Sequence, residues 1–258
     1  MDLYQHFRAD EHPFLDQVMS WKEMVLRTYQ RKLTDFLNPR EQQILNMLIG
    51  SNDYELQVAQ FGGGKHTERK RAIIAPYYES ITEETYEITL MQAFYQEKFV
   101  TLQHRDVLGA FLSLGIKRDK LGDISVENGT IQILLASEIA HYVRLNLTKI
   151  KNATVKLEEK PLSERIEKKV VWKEKMTTVS SLRLDNVIKE IYNISRKVAS
   201  EMIVKGKVKV NFKIVEDAKL QLQPNDLLSV RGKGRSKLVS VHGQTKKGRL
   251  RITTARLQ

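Results

Sequence analysis

The chain has 258 residues, 43 Lys and Arg against 31 Asp and Glu, a formal charge of +12, no cysteine, and no apolar run of the length that crosses a bilayer. That length supports two or three domains, and the missing cysteines exclude disulfides and thiolate metal sites. The opening MDLYQHFRADEHPF lacks a basic segment followed by an apolar one, so a cytoplasmic protein is expected.

Phe14, Val18, Trp21, Val25 and Tyr29 recur at spacings of three and four, which predicts helix over residues 2 to about 29, broken near His12-Pro13, with these side chains inward. Leu33 to Leu37 is a candidate strand. Asn38 then caps, and Pro39 opens, a helix that buries Ile44, Leu45, Leu48 and Ile49 and stops at Gly50. Tyr54 to Phe61 alternates as a strand.

The run from Phe61 to Arg71, FGGGKHTERKR, is the only dense basic cluster before the last third of the chain. It is not a nucleotide triphosphatase loop, because Ala59 stands where that motif needs its first glycine and His66 follows Lys65 where it needs Ser or Thr. Two readings stand. One is a mobile glycine-rich turn carrying Lys65, Arg69, Lys70 and Arg71 to a phosphate backbone; the other is a solvated turn with a charge run.

From Thr85 to Glu159 the predicted order is β-α-β-β-α-β, a ferredoxin-like unit. Its parts are a strand over Tyr86 to Tyr95, a helix from Arg105 to Leu114 ended by Gly115, a strand over Asp123 to Val126 and a return strand from Thr130 to Leu135. Asn128-Gly129 between those two strands is the favoured two-residue hairpin turn. Ser137 then caps a helix to Leu145, and Ala153 to Leu157 closes the sheet. RNA-recognition domains share this order, but the Lys/Arg-Gly-aromatic-Gly/Ala-Phe run that stacks bases is absent. Glu158 to Thr178 reads as a linker or an extended connecting strand.

Ser181 to Arg235 carries the strongest pattern. Leu184, Val187, Ile188 and Ile191 line one face of a first helix that Ser180 or Ser181 can cap. Ser195 caps a second helix that buries Val198, Ala199, Met202 and Ile203 and ends at Gly206. Arg196 and Lys197 oppose the dipole of that helix at its first turn, so an external anion would explain them. Val208 and Val210 alternate with Lys207 and Lys209 as a strand with one basic face. A last hairpin, Leu238 to Val241 with Leu250 to Ile252, is joined through Gly243 to Gly248. From Ser181 onward there are 18 of the 43 Lys and Arg and only 6 of the 31 Asp and Glu, so the first 180 residues balance at 25 of each. All the excess charge sits in the last third, as expected of a domain that meets a polyanion.

This segment resembles the alpha-L RNA-binding domain, the module named after small-subunit ribosomal protein four. The resemblance rests on Arg183-Leu184-Asp185, Ser195-Arg196, Ile203, the run Gly206 to Asn211, Asp226 and Arg231-Gly232-Lys233-Gly234-Arg235. Phe212 departs from the glycine that commonly follows the asparagine. The expected RNA contacts are Arg183, Arg196, Lys197, Lys205, Lys207, Lys209, Arg231, Lys233 and Arg235. Secondary candidates are Lys65, Arg69, Lys70, Arg71, Lys246, Lys247, Arg249 and Arg251.

A search for chemistry finds little. None of the six histidines forms a metal pair at helical spacing, no glycine fingerprint opens a nucleotide fold, and synthetase signatures are missing. Asp185 partly matches the aspartate setting of a pseudouridine synthase, yet it lies inside the binding module, where support of the first helical turn is the simpler role. Asp53, Asp106, Asp119 and Asp123 read as turn or cap residues. No catalytic residue, metal or cofactor is therefore expected.

The expected fold is α+β: an N-terminal α+β domain (1–75), a ferredoxin-like domain (76–160), a linker or connecting strand (161–179) and an alpha-L domain with an extension (180–258). With the runs Glu68 to Ala72 and Gly115 to Arg118 through Gly122 to Ile124, the whole chain resembles the YlmH family of bacterial RNA-binding proteins. That resemblance implies a non-enzymatic factor bound to structured RNA, ribosomal or transfer RNA, on the large ribosomal subunit, acting in rescue of stalled nascent chains. It implies no membrane and no small-molecule substrate. An RNA-modifying enzyme and a cell-division interaction protein are the alternatives.

Overall fold

The computed structural model describes Tyr4 and residues 7–50, 54–167 and 171–257. Of the positions singled out above, residues 2, 3, 5 and 6 of the expected first helix, Asp53 and residues 168–170 of the connecting stretch lie outside these. The chain forms two compact units, 1–168 and 169–258.

The first unit begins with α1 (His12–Thr28), β1 (Lys32–Leu33), α2 (Pro39–Ile49), β2 (Leu56–Phe61) and β3 (Arg71–Pro76). The strands form an antiparallel sheet in the order β1-β3-β2. Val18 and Val25 of α1 and Leu45 and Ile49 of α2 cover it, burying Ala72 and Ile74. Tyr29, expected inside, is 68% exposed, because the helix ends there with the tyrosine itself in the left-handed conformation, φ 55°. The start of α2 is a capping box. Asn38 Oδ1 accepts from the amides of Arg40 and Glu41 at 2.9 and 3.1 Å, while Glu41 Oε2 accepts from the Asn38 amide at 2.6 Å. Only Lys32 and Leu33 pair as strand; Leu37 makes an isolated bridge to Lys70.

The same unit continues with β4 (Ile88–Phe94), α3 (His104–Ser113), β5 (Leu121–Glu127), β6 (Thr130–Ala136), α4 (Ser137–Asn146), β7 (Lys149–Ile150), β8 (Ala153–Thr154) and β9 (Glu158–Lys160). The sheet order β5-β6-β4-β9, antiparallel throughout, is the ferredoxin-like arrangement. Asn128 and Gly129 both take positive φ, 48° and 72°, as the hairpin requires. The closing strand is Glu158–Lys160; Ala153–Thr154 pairs instead with β7 in a small separate hairpin, while Val155 and Leu157 are buried in the core.

Phe36 joins the two sheets by packing with Leu90, Leu134 and Ala136. Gly122 makes room for it, since a Cβ there would lie 2.7 Å from Phe36 Cε1.

The second unit opens with β10 (Trp172–Val179), so the connecting stretch is a strand over these residues. It continues with α5 (Leu184–Tyr192), α6 (Arg196–Val204), β11 (Val208–Val210), β12 (Lys213–Ile214), β13 (Leu227–Val230), β14 (Gly234–Gln244) and β15 (Leu250–Leu257). The antiparallel sheet runs β10-β15-β14-β13-β11-β12. Leu184, Val187 and Ile188 of α5 and Ala199 and Ile203 of α6 share a core with Val208, Val230, Leu238 and Ile252. Val198, expected in that core, is 42% exposed. Neither Ser180 nor Ser181 caps α5. Arg183 holds the cap position, and both hydroxyls accept from Asn186 Nδ2, at 3.0 and 2.7 Å.

Asn211 and Phe212 form the turn between β11 and β12, both left-handed, with φ 48° and 69°. Asn211 also ties the turn to β13: its Nδ2 donates to Asp226 Oδ1 at 2.7 Å and its Oδ1 accepts from the Leu227 amide at 2.9 Å. Phe212 thus keeps the backbone shape that a glycine would adopt without strain. Phe212→Gly and Phe212→Ala both lose the ring, but only alanine keeps the left-handed penalty. Urea denaturation should find the glycine variant more stable than the alanine variant by about 1 kcal/mol; equal stabilities would mean that the turn relaxes.

Candidate nucleic-acid interface

The second unit assembles its cations through local geometry. Ser195 caps α6 by accepting from the Val198 amide at 3.2 Å, which sets Arg196 as its first residue. Asp185, in the first turn of α5, is 1% exposed and receives both nearby arginines. Arg183 donates through Nε and Nη2 to its two oxygens at 3.1 and 2.9 Å, and Arg196 Nε donates to Oδ2 at 2.9 Å. Arg196 therefore has an internal partner that offsets its position at the dipole, beside the external anion expected from the sequence. Its side chain is still half exposed, so it presents its remaining donors to solvent. Lys197 beside it is exposed.

A second group forms where α6 ends. The Arg231 amide donates to the Lys207 carbonyl at 2.9 Å, bringing the β13–β14 turn against the residues that follow Gly206. Lys205, Lys207, Arg231 and Lys233 are all exposed at this end of the sheet. Lys209 and Arg235 both register with Ser229 across β11-β13-β14, so they lie on one face, opposite the helices. Lys237 follows two residues after Arg235 on that face and stands 4.9 Å over the Trp172 ring. The period-two run Lys233, Arg235, Lys237 was the signal that would have added Lys237 to the expected contacts.

Other expected contacts do not join this group. Lys246 and Lys247 are exposed at the β14–β15 turn, and the 11 residues of β14 separate them from Lys233 by about 35 Å at ~3.3 Å per residue. Arg249 is bound to Thr178, donating to its carbonyl at 2.6 Å and its hydroxyl at 3.1 Å. Arg251 is exposed on β15.

In the first unit, two secondary candidates turn inward. Arg71 is 3% exposed and donates to the carbonyls of Thr34 and Glu87, at 2.8 and 3.0 Å, so it cannot reach a phosphate backbone. Arg69 donates to the carbonyls of Leu121 and Phe36 at 3.0 and 2.5 Å. The glycine-rich turn is anchored, because Asp123 accepts from the amides of Glu68 and Arg69 at 2.8 and 3.0 Å. Lys65 is exposed and Lys70 half-buried.

A helix pair backed by a sheet, with cations gathered at one end and on the outer face, defines an RNA-binding protein of the S4 class. Three family models match in succession: the YlmH N-terminal domain over residues 10–79, "Putative RNA-binding domain in YlmH" over 82–164, and the S4 domain over 182–228. The chain belongs to the YlmH family. It is 41% identical over 255 residues, 99% of this chain and 98% of the relative, to a Bacillus subtilis (strain 168) protein named ribosome-associated protein quality control protein P2. A solved structure titled cell division protein ylmH from Streptococcus pneumoniae matches with TM-score 0.55 and 34% identity, covering 64% of this chain and 99% of that one.

Burial pushes the Asp185 carboxyl up, but hydrogen bonds and charge from Arg183 and Arg196 outweigh it and hold the group below its ordinary value. Its stabilisation is therefore complete above the unfolded value of about 4 and is lost as pH falls through the lower folded value. Asp185→Asn should cost about 3 kcal/mol near pH 7, and the gap to the parent should narrow below about pH 4. Denaturant titrations at neutral and acid pH check both the size and the sign.

Proposed function

We propose that this protein is a non-catalytic factor that docks on structured RNA through its phosphate backbone, with the ribosome as its place of work. The observation that carries this reading is the exposed cluster of Lys205, Lys207, Arg231 and Lys233 beside Lys209 and Arg235, on the unit that holds the whole excess of positive charge. The name of the Bacillus subtilis relative supports the ribosome and quality control of translation. The finer reading is that the bound RNA belongs to the large subunit or to transfer RNA, and that the role is rescue of stalled nascent chains.

The non-catalytic part is supported by Asp185. Both of its oxygens are engaged by guanidinium groups behind a buried surface, which suits an organiser of arginines better than a nucleophile that must meet a base. No helix among the described residues is long and apolar enough to cross a membrane.

Neutralising about six phosphates gives a log-log salt slope near −4 to −5 for binding to a structured RNA. Lys207→Glu with Lys233→Glu should weaken binding and make that slope shallower; filter binding across a salt series reads both, and an unchanged slope removes this end of the sheet from the interface. In a sucrose gradient, the chain should travel with the large subunit at low salt and leave it at high salt. A position at the top of the gradient at both salts would overturn the ribosomal assignment.

A further inference from the structure

The first unit, which has no excess of positive charge, contains a cleft of about 600 Å³ between α1, the β1–α2 connection and residues 118–120. Two runs of sequence some fifty residues apart meet at its wall, Glu68 to Arg71 and Arg118 to Asp123, tied by the Asp123 carboxylate. Arg69 Nε and Arg118 Nη1 both donate to the Leu121 carbonyl, at 3.0 and 2.5 Å, so two guanidinium groups share one neutral acceptor. Among the described residues neither has a carboxylate within 4 Å of its nitrogens, and Arg69 Nη1 and Arg118 Nε and Nη2 have no protein acceptor. Burial, with the neighbouring Arg69 charge, lowers the Arg118 pKa to about 10.

The acids around this pair attract it without ion-pairing to it: Glu41, Asp123, Asp119 and Glu68 act on Arg69, and Asp123 and Glu68 on Arg118, while burial lowers both guanidinium groups. Asp35 and Glu138 are held by Lys120 at 2.6 and 2.5 Å, and Glu41 is engaged by the Asn38 amide and pushed up by burial. Asp119 is exposed at the rim. Two like charges kept together on carbonyls cost energy, and an anion accepting from both offsets that cost. The cleft is much larger than a lone phosphate, within the ~300–1,000 Å³ usual for ligand sites. Trp21, which also lines it, offers an aromatic face, with Lys32 Nζ 5.9 Å from the ring centre.

We propose that this cleft binds a nucleotide, its phosphate between the Arg69 and Arg118 guanidinium groups and its base toward Trp21. The site is separate from the basic surface of the second unit and does not rest on the function proposed above. The nucleotide is either free or the end of an RNA chain.

The chain has two tryptophans, so Trp172→Phe in the full-length protein leaves Trp21 as the reporter. Adenosine 5′-monophosphate should change Trp21 fluorescence saturably, and inorganic phosphate should compete. Arg118→Gln should weaken binding by about tenfold or more, whereas Lys207→Glu with Lys233→Glu should leave it unchanged. A four-nucleotide RNA that binds more tightly than the mononucleotide only when it bears a terminal phosphate makes the ligand an RNA end; a mononucleotide that binds at least as well makes it a free nucleotide. Should Arg118→Gln not fold, the titration and the phosphate competition decide on their own. No saturable change up to about 10 mM ligand, no competition by phosphate, or equal affinity in a folded Arg118→Gln variant would overturn the proposal.

Discussion

The S4-type unit depends on one buried carboxylate. Asp185 sits in the first turn of α5 and binds Arg183 from the preceding cap position and Arg196 from the start of α6. The same three side chains fix how the helices meet and where two cations point, so stability and recognition are joined at one residue. An arginine fixed by a carboxylate has less side-chain freedom to lose on meeting a phosphate, and that advantage offsets part of the charge the carboxylate cancels.

Buried arginine serves a different purpose in the first unit. Arg71 carries its charge into a nearly water-free position and joins the β1–α2 connection to the residue before β4 through two carbonyls. Arg69 and Asp123 do similar work between the glycine-rich turn and β5. Charge that reads as a surface cluster in one dimension is the polar mortar between two sheets in three. Phe36 and Gly122 supply the apolar part of the same joint.

The legibility of these features followed their range. The helix pair, the Ser195 and Asn38 caps, the Asn128-Gly129 hairpin and the alternation of Val208 and Val210 rest on neighbours within a few residues, and the sequence shows them directly. The closing strand of the ferredoxin-like sheet lies later than expected because Ala153, Val155 and Leu157 alternate as a half-buried strand does and Glu158–Lys160 shows no apolar position. An edge strand pairs through its backbone and can carry charge outward. Arg71 hides its role for the same reason: its acceptors, Thr34 and Glu87, are distant and featureless backbone carbonyls. The clustering of Lys205 and Lys207 with Arg231 and Lys233 was implied by motif; the separation of Lys246 and Lys247 followed only from the length of β14.

The pairing of β10 with β15 carries a consequence for the order in which the second unit is made. Trp172 registers with Leu257 and Val179 with Leu250, partners about 70 to 85 residues apart, while the helix pair and strands β11 to β14 lie between them. Closing so long a loop is entropically slow, whereas the helices and short hairpins inside it form quickly. The ladder therefore spans the longest loop of the unit and closes over a core to which its own Val179 and Ile252 contribute. The outermost pair of this unit works as a clasp, holding the first and last strands together around the helix pair.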